Sequence, residues 1–155
     1  MREAKEPSKP LEILVIDDEP SVRDALKDIL ENYGERVSLA EDGQRGIFQY
    51  NARLETEKPY DAVFTDLNMP ILTGVDVTRY IKTLTPQIPV VVITGKEQNA
   101  TYQELSEQLG QLKPDYVIGK PFSFEQIENV LRDIKYNQGN TKQPLLYNPP
   151  NSYQS

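Results

Sequence analysis

Two short stretches of the chain are almost wholly apolar and β-branched, and they restrict the possible fold more than any other feature. Residues 12–16 (EILVI) run directly into three acidic residues, and residues 90–93 (VVVI) follow a proline. A strand with one face in water alternates apolar and polar side chains, which these stretches do not. They therefore predict strands buried on both faces, as in a parallel sheet covered by helices.

Strand-like and helical patterns alternate five times along the chain. An apolar stripe at helical spacing follows each predicted strand, and these strands cover residues 12–16, 37–40, 62–65, 90–93 and 116–118. Pro20 and Gly34 bound the first helix, residues 102–112 carry the fourth, and Ser123 with Gln126 forms a capping box for the last. Parallel neighbours need crossover connections, which the helices supply. The sequence thus predicts an α/β fold of three layers, a (βα)5 doubly wound sandwich.

The two ends of the chain differ in composition from the middle. Residues 1–10 carry two prolines and five charges without periodicity, which predicts a flexible lead. Residues 11–136 form the predicted folded domain. From 137 to 155 the chain is rich in Asn, Gln, Pro and Ser, and residues 145–147 (LLY) are its only apolar cluster. This stretch is predicted to be a disordered tail, with a short docking motif in that cluster as the alternative.

Composition argues against several classes of function. The chain has no cysteine and no histidine, so it offers neither a thiol nor an imidazole as nucleophile, base or metal ligand. Its net charge of −7 argues against direct contact with nucleic acid. No apolar run reaches the roughly 18 residues that would span a bilayer, and the first apolar stretch is too short and too acidic for a signal-peptide core. We therefore expect a cytoplasmic protein without membrane or direct nucleic-acid partners.

Polar residues occupy the ends of four of the predicted strands. Asp17 and Asp18 follow the first strand, and Asp66 follows the third. Thr94 ends the fourth and Lys120 follows the fifth. In an open parallel sheet, ligands bind outside the carboxyl ends of the strands, where the strand order reverses. These side chains are therefore expected to converge on one crevice.

The three carboxylates predict a metal site. Crowded carboxylates repel one another unless a cation neutralises them, and a chain without His or Cys offers only hard oxygen ligands. Mg2+ suits such a site because it binds through a few carboxylates and keeps waters that an incoming phosphate can replace. Lys120 adds a second positive charge, and phosphoryl transfer depends mainly on charge neutralisation and in-line positioning. The predicted chemistry is transfer of a phosphoryl group onto Asp66.

Together these residues resemble those of the receiver domains of two-component response regulators. The likeness covers roughly residues 11–136 and rests on motifs that occur in order: Asp17-Asp18, residues 66–70 (DLNMP) with Gly74, Thr94-Gly95, and residues 120–122 (KPF). Each motif is weak evidence alone, whereas the whole set at successive strand ends is specific. The resemblance implies a five-stranded parallel sheet in the order 2-1-3-4-5 and a cis bond between Lys120 and Pro121.

The resemblance also implies a role for each matching residue. Asp66 is the expected phosphoacceptor, and Thr94 and Lys120 are the side chains expected to contact the phosphoryl oxygens. The backbone of Leu67 and Gly95 is expected to add contacts to the same oxygens. The implied cofactor is Mg2+, and its expected protein ligands are Asp17, Asp18, Asp66 and the backbone carbonyl of Asn68.

The resemblance implies that the protein is a phosphoacceptor switch and not an enzyme that acts on external substrates. The expected phosphodonor is a histidine kinase or a histidine phosphotransfer protein, and the expected output is an altered contact with a downstream protein. A single-domain regulator is the first hypothesis, and a receiver fragment of a longer regulator is an alternative. A Mg2+-dependent aspartyl phosphatase is another, although such enzymes usually carry an Asp-x-Asp pair and here Asp17 and Asp18 are adjacent.

The chain departs from the family pattern near its fifth strand. In the family an aromatic side chain, three residues before the lysine, usually moves together with the threonine. This chain has Val117 at that position, and Tyr116 lies one residue earlier. Adjacent strand residues face opposite ways, so Tyr116 is not expected to replace it. The interval from Thr94 to Lys120 is also about one helical turn longer than usual, which predicts an extended fourth helix or following loop.

Overall fold

A computed structural model describes residues 9–95 and 101–139 of the 155-residue chain. Within these residues five strands alternate with five α-helices, and one short 3-10 turn follows the fourth helix. In chain order the elements are β1 (Glu12–Ile16), α1 (Pro20–Asn32), β2 (Arg36–Ala40), α2 (Gly43–Leu54), β3 (Ala62–Asp66), α3 (Gly74–Leu84), β4 (Val90–Thr94), α4 (Tyr102–Leu109), the 3-10 turn (Gly110–Leu112), β5 (Tyr116–Gly119) and α5 (Phe124–Gly139). Most of the predicted lead, residues 1–8, and the predicted tail from residue 140 lie outside the described residues.

The strands form a single parallel sheet in the order β2-β1-β3-β4-β5, which confirms the predicted α/β fold and strand order. Ile16 pairs with Thr65 between β1 and β3. Asp66 pairs with Ile93 between β3 and β4. The carboxyl ends of these three strands are therefore level, and the polar residues that follow them reach the same edge of the sheet.

Alternate residues of each strand enter hydrophobic cores on opposite faces of the sheet. In β1, Ile13 and Val15 join the core formed with α1 and α5. Leu14 and Ile16 join the core formed with α2, α3 and α4. Each of these side chains is 0% exposed, and burial of one such side chain contributes roughly 1.5–3 kcal/mol to folding. Burial on both faces explains why the strand sequences do not alternate.

Helix boundaries follow the predicted signals at the first and last helices. Pro20 begins α1, and Gly34, two residues beyond its end, has a φ of 88°. At α5, the Gln126 N–H donates to Ser123 Oγ at 3.1 Å and the Ser123 N–H donates to Gln126 Oε1 at 2.8 Å. The predicted capping box is confirmed. The helix continues to Gly139, three residues beyond the expected boundary at 136.

The fourth helix is shorter than the prediction of one helix over residues 102–112. It ends at Leu109 because Gly110 takes a φ of 59°, and a 3-10 turn carries the chain on to Leu112. With eight residues α4 is the shortest of the five α-helices among the described residues. The additional length between Thr94 and Lys120 therefore does not lie in an extended α4.

No helix in the described part of the chain is both long enough and apolar enough to cross a membrane.

Ile71 holds a backbone conformation that β-branched residues avoid. It lies between β3 and α3 with a φ of 72°, and it is 81% exposed, so little burial offsets the strain. Because Asn adopts this region readily, we expect Ile71→Asn to raise the free energy of unfolding in urea by about 1 kcal/mol. Ile71→Val keeps the branched Cβ and serves as the matched control. Equal stability of the two variants would contradict strain at this position.

Candidate functional site

Charged side chains meet at the carboxyl edge of the sheet. Nζ of Lys120 lies 3.2 Å from Oδ1 of Asp66 and 3.2 Å from Oδ2 of Asp17. Glu19 lies farther out, with Oε1 3.7 Å from the same amine. Lys120 thus bridges carboxylates from the ends of β1 and β3, and the predicted convergence is confirmed for Asp17, Asp66 and Lys120.

Backbone hydrogen bonds hold the residues that carry these side chains. The Asp17 N–H donates to the carbonyl of Ala40 in β2 at 3.2 Å, and the Lys120 N–H donates to the carbonyl of Thr94 at 2.7 Å. Arg23 from α1 donates to the Asp17 carbonyl at 2.7 Å. The Lys120-Pro121 bond is cis, as the family resemblance implied. The strand ends therefore position Asp17 and Lys120 through the main chain, independently of the side-chain contacts between them.

The site holds more negative than positive charge, because two buried carboxylates share the amine of one lysine. Asp17 is 1% exposed and Asp66 is 4% exposed. Burial, and after it the charge of Asp17, raises the pKa of Asp66 to about 6, although Lys120 opposes this shift. Burial likewise raises the pKa of Asp17, against the hydrogen bond from the Glu19 N–H and the charge of Lys120. Burial acts to lower the pKa of Lys120, but the two carboxylates outweigh it and raise that pKa above its usual value.

The oxygen atoms at this edge suit a hard divalent cation. Carboxylate oxygens of Asp17, Asp18 and Glu19 lie within 4.8 Å of one another. Oδ2 of Asp17 is buried, and it lies 3.2 Å from the amine of Lys120, which Asp17 shares with Asp66. One amine between two buried carboxylates leaves negative charge that a further cation would compensate. The donor set therefore fits the predicted Mg2+.

Glu19 is the site residue that the sequence reasoning missed. Its carboxylate belongs to the same oxygen cluster as those of Asp17 and Asp18, and its side chain is 59% exposed. The available signal was its position directly after the acidic pair at the start of a helix. Asn68 is exposed in the loop that follows Asp66, and the metal contact expected of its carbonyl stays a prediction.

The backbone contacts expected at Leu67 and Gly95 differ from one another in the structure. The Leu67 N–H donates to the carbonyl of Ile93 at 2.9 Å, which continues the ladder between β3 and β4. This N–H thus belongs to the sheet ladder, and the phosphoryl contact expected of the Leu67 backbone stays a prediction. Beside Gly95 no described atom lies within 4 Å of where a Cβ would stand, so space is open next to Thr94.

Gly74 brings the start of α3 against the end of β3. A Cβ at this position would lie 2.3 Å from the carbonyl oxygen of Asp66 and 2.7 Å from the Cα of Leu67. The Gly74 N–H donates to the Leu67 carbonyl at 2.8 Å, which holds the two segments in this close approach. The close approach of α3 to the end of β3 therefore requires glycine at position 74.

Gly74→Ala is expected to lower the free energy of unfolding by roughly 2 kcal/mol or more, because the added methyl group meets backbone atoms that cannot rotate away. Urea titration of the purified protein measures this loss. Gly95→Ala is the matched control, since the added methyl group meets open space and should change stability by less than about 0.5 kcal/mol. Equal losses in the two variants would contradict the steric argument.

Tyr116 and Val117 face opposite sides of the sheet, as the sequence predicts. Tyr116 lies in the core shared with α1 and α5, where its hydroxyl donates to Asp133. Val117 lies in the core on the other face, with Leu105 of α4. The position in β5 from which an aromatic side chain was expected to move together with Thr94 is thus occupied by Val117.

Comparison with known proteins places this geometry in a family. The family model described as "Response regulator receiver domain" matches residues 13–132. The response regulator MprA of Mycolicibacterium vanbaalenii is 32% identical over 120 residues, which are 76% of this chain and 47% of that protein. The chain spans between 29% and 47% of the first curated relatives that it matches, so they are substantially longer.

Solved structures agree with this assignment. A response regulator receiver domain protein from Clostridium thermocellum superposes with a TM-score of 0.73 at 26% identity, over 83% of this chain and 97% of that one. The response regulator TrrA of Thermotoga maritima, solved in complex with Mg2+ and BeF, has a TM-score of 0.66 at 25% identity, over 80% of this chain and 98% of that one. Sequence, fold and site geometry lead to the same conclusion: the chain belongs to the family of response regulator receiver domains.

Proposed function

We propose that this receiver domain is a phosphorylation switch in which Asp66 accepts a phosphoryl group from a phosphohistidine of a histidine kinase or a histidine phosphotransfer protein. The observation that carries the proposal is the contact of Lys120 Nζ with the carboxylates of both Asp66 and Asp17 at 3.2 Å. Transfer between two anions requires positive charge at the nucleophile, and the amine of Lys120 beside the Asp66 carboxylate supplies it.

In the proposed reaction an Asp66 carboxylate oxygen attacks the phosphorus of the phosphohistidine. An O–P bond forms, the N–P bond breaks, and the imidazole departs with the electron pair of that bond. Formation of the O–P bond removes the negative charge of the Asp66 carboxylate. Lys120, which pairs with that carboxylate before the reaction, would then pair with the phosphoryl oxygens. Thr94 ends the neighbouring strand and is the side chain expected to contact the same oxygens.

Asp17, Asp18 and Asp66 would hold Mg2+, with the Asn68 carbonyl as a further expected ligand and Glu19 close to the same oxygens. When bound, the ion supplies positive charge that offsets the repulsion between the carboxylates and the phosphoryl group. The single amine of Lys120 is shared between the buried carboxylates of Asp17 and Asp66, and the negative charge that it leaves uncompensated supports this assignment. The complex of TrrA with Mg2+ and BeF supports it by analogy.

We propose that the output is a changed contact with a downstream protein, in the cytoplasm, rather than turnover of external substrates. The chain would catalyse only its own phosphorylation and dephosphorylation. Because the chain spans only 29% and 47% of two of these curated relatives, a receiver within a longer regulator is the favoured alternative to a single-domain regulator. The size of the protein in its native cells, measured with an antibody against this domain, separates these two forms.

The test is incubation of the protein with Mg2+ and acetyl phosphate, followed by intact-mass measurement. We expect one added phosphoryl mass on the wild type, its loss on chelation of the metal, and no adduct on Asp66→Asn. An adduct that persists on Asp66→Asn would move the acceptor elsewhere. Steady release of phosphate from phosphoesters, in large excess over the protein, would instead favour an aspartyl phosphatase.

A further inference from the structure

A groove of about 840 Å³ lies at the edge of the sheet opposite to the phosphorylation site. Its walls come from the residues that precede β3, β4 and β5 and from the last turns of α5. Aromatic and proline side chains contribute much of the lining, which includes Pro59, Tyr60, Pro86, Ile88, Tyr116 and Asn137. The proposed phosphotransfer uses none of these residues.

The groove also has an acidic side and a buried acceptor without a donor. Oδ1 of Asn137 is buried and accepts no hydrogen bond from the described residues. Asp61 and Asp115 both line the groove. Asp115 pairs with the buried amine of Lys82 at 2.5 Å, yet its side chain is 40% exposed. Asp61 has no ion-pair partner among the described residues, so the groove suits an apolar segment that brings an N–H donor and a positive charge.

The chain itself supplies such a segment immediately after the groove. Asn137 and Gln138 line the groove, and α5 ends one residue later, at Gly139. Residues 144–147 (PLLY) follow within five residues, a span of at most roughly 18 Å. Between 140 and 155 Lys142 is the only charged side chain. Proline-containing apolar peptides commonly bind in grooves lined by aromatic side chains.

We propose that residues 144–147 of this chain bind intramolecularly in the groove, with Lys142 near the acidic side and an amide N–H donated to Oδ1 of Asn137. The complementarity of charge and the short distance from the end of α5 favour this segment over a peptide from another protein. Because docking is intramolecular, a modest intrinsic affinity suffices. The proposal is independent of phosphorylation at Asp66.

The chain contains no tryptophan, so Tyr147→Trp in the full chain introduces a single tryptophan whose emission is separable from that of the tyrosines. Docking predicts emission at shorter wavelength than that of the same variant unfolded in urea. It also predicts that adding Leu145→Asp and Leu146→Asp shifts the emission to the unfolded position. Ser152→Asp with Gln154→Asp, beyond the segment, is the matched control and should leave the emission unchanged. Emission at the unfolded position in the native protein would overturn the proposal.

Hydrogen exchange provides a second measurement on the groove side. Without the Trp reporter, Leu145→Asp with Leu146→Asp should speed exchange of the Ile88 and Asp115 amides roughly tenfold, while amides at the opposite edge keep their rates. Unchanged exchange at the groove would overturn the proposal. An emission shift that depends on protein concentration, together with a doubled mass in light scattering, would assign the occupant to a second copy and likewise overturn it.

Discussion

Without metal at pH 7, Asp66→Asn should raise the free energy of unfolding by roughly 2–3 kcal/mol, although it removes the proposed phosphoacceptor. The Asp66 carboxyl is 4% exposed, and its pKa is raised from 3.8 to about 6 by burial and by the charge of Asp17. Each unit of such a shift corresponds to about 1.4 kcal/mol between the two protonation states. Asn has a similar shape and never ionises, so the variant avoids this cost. Urea titration in the presence of a chelator measures the gain.

The pH dependence of this gain identifies its cause. A carboxyl whose pKa is raised on folding stabilises the folded state fully below the unfolded value of 3.8, and this contribution is lost as the pH rises through about 6. The stability difference between Asp66→Asn and wild type should therefore be near zero below pH 3.8 and should grow up to about pH 6. Added Mg2+ should stabilise the wild type more than the variant. A gain that is constant with pH would show that it arises from packing rather than from ionisation.

The sequence predicts the strand ends of this site because two simple patterns coincide there. A continuous apolar run such as residues 12–16 requires burial on both faces, and the acidic residues that stop it mark where the strand ends. The same reasoning applies to Asp66 at the end of β3 and to Thr94 at the end of β4. Parallel register then aligns these ends without any further information from the sequence. The fold class and the meeting of Asp17, Asp66 and Lys120 follow from this, whereas the strand order was implied by the family resemblance.

Sequence patterns did not predict three features of the local backbone conformation. The commitment of the Leu67 N–H to Ile93 depends on how far the β3–β4 ladder extends. The positive φ of Ile71 occurs at a residue type that gives no sign of it. The apolar stripe continues to Leu112, but α4 ends before Gly110. The last part of the stripe lies in a 3-10 turn, which the apolar spacing does not distinguish from an α-helix. In each case a local backbone choice outweighed the periodic pattern.

Lys120→Met should produce the largest loss of any substitution in the site. Lys120 is the cation closest to two buried carboxylates, and its own side chain is 17% exposed. Removing one partner of a largely buried charge cluster leaves the other charges uncompensated, which typically costs roughly 3–5 kcal/mol. We therefore expect a loss of about 3 kcal/mol in the free energy of unfolding at pH 7 without metal. Phosphorylation by acetyl phosphate should slow by roughly 100-fold, as when one stabilising donor is removed from an active site.

Two comparisons separate the electrostatic origin of this loss from the loss of packing by the lysine stem. Lys27→Met removes an exposed pair with Glu31 at 3.2 Å and should change stability by less than about 1 kcal/mol. In the double variant Asp66→Asn with Lys120→Met only one buried carboxylate, that of Asp17, remains opposite the missing amine, so its stability should exceed the sum of the single effects by at least about 1 kcal/mol. Strict additivity would mean that Lys120 stabilises the fold through its methylene groups. The contact at 3.2 Å with Asp66 would then carry no electrostatic coupling, and the proposed role of Lys120 in charge neutralisation would fail with it.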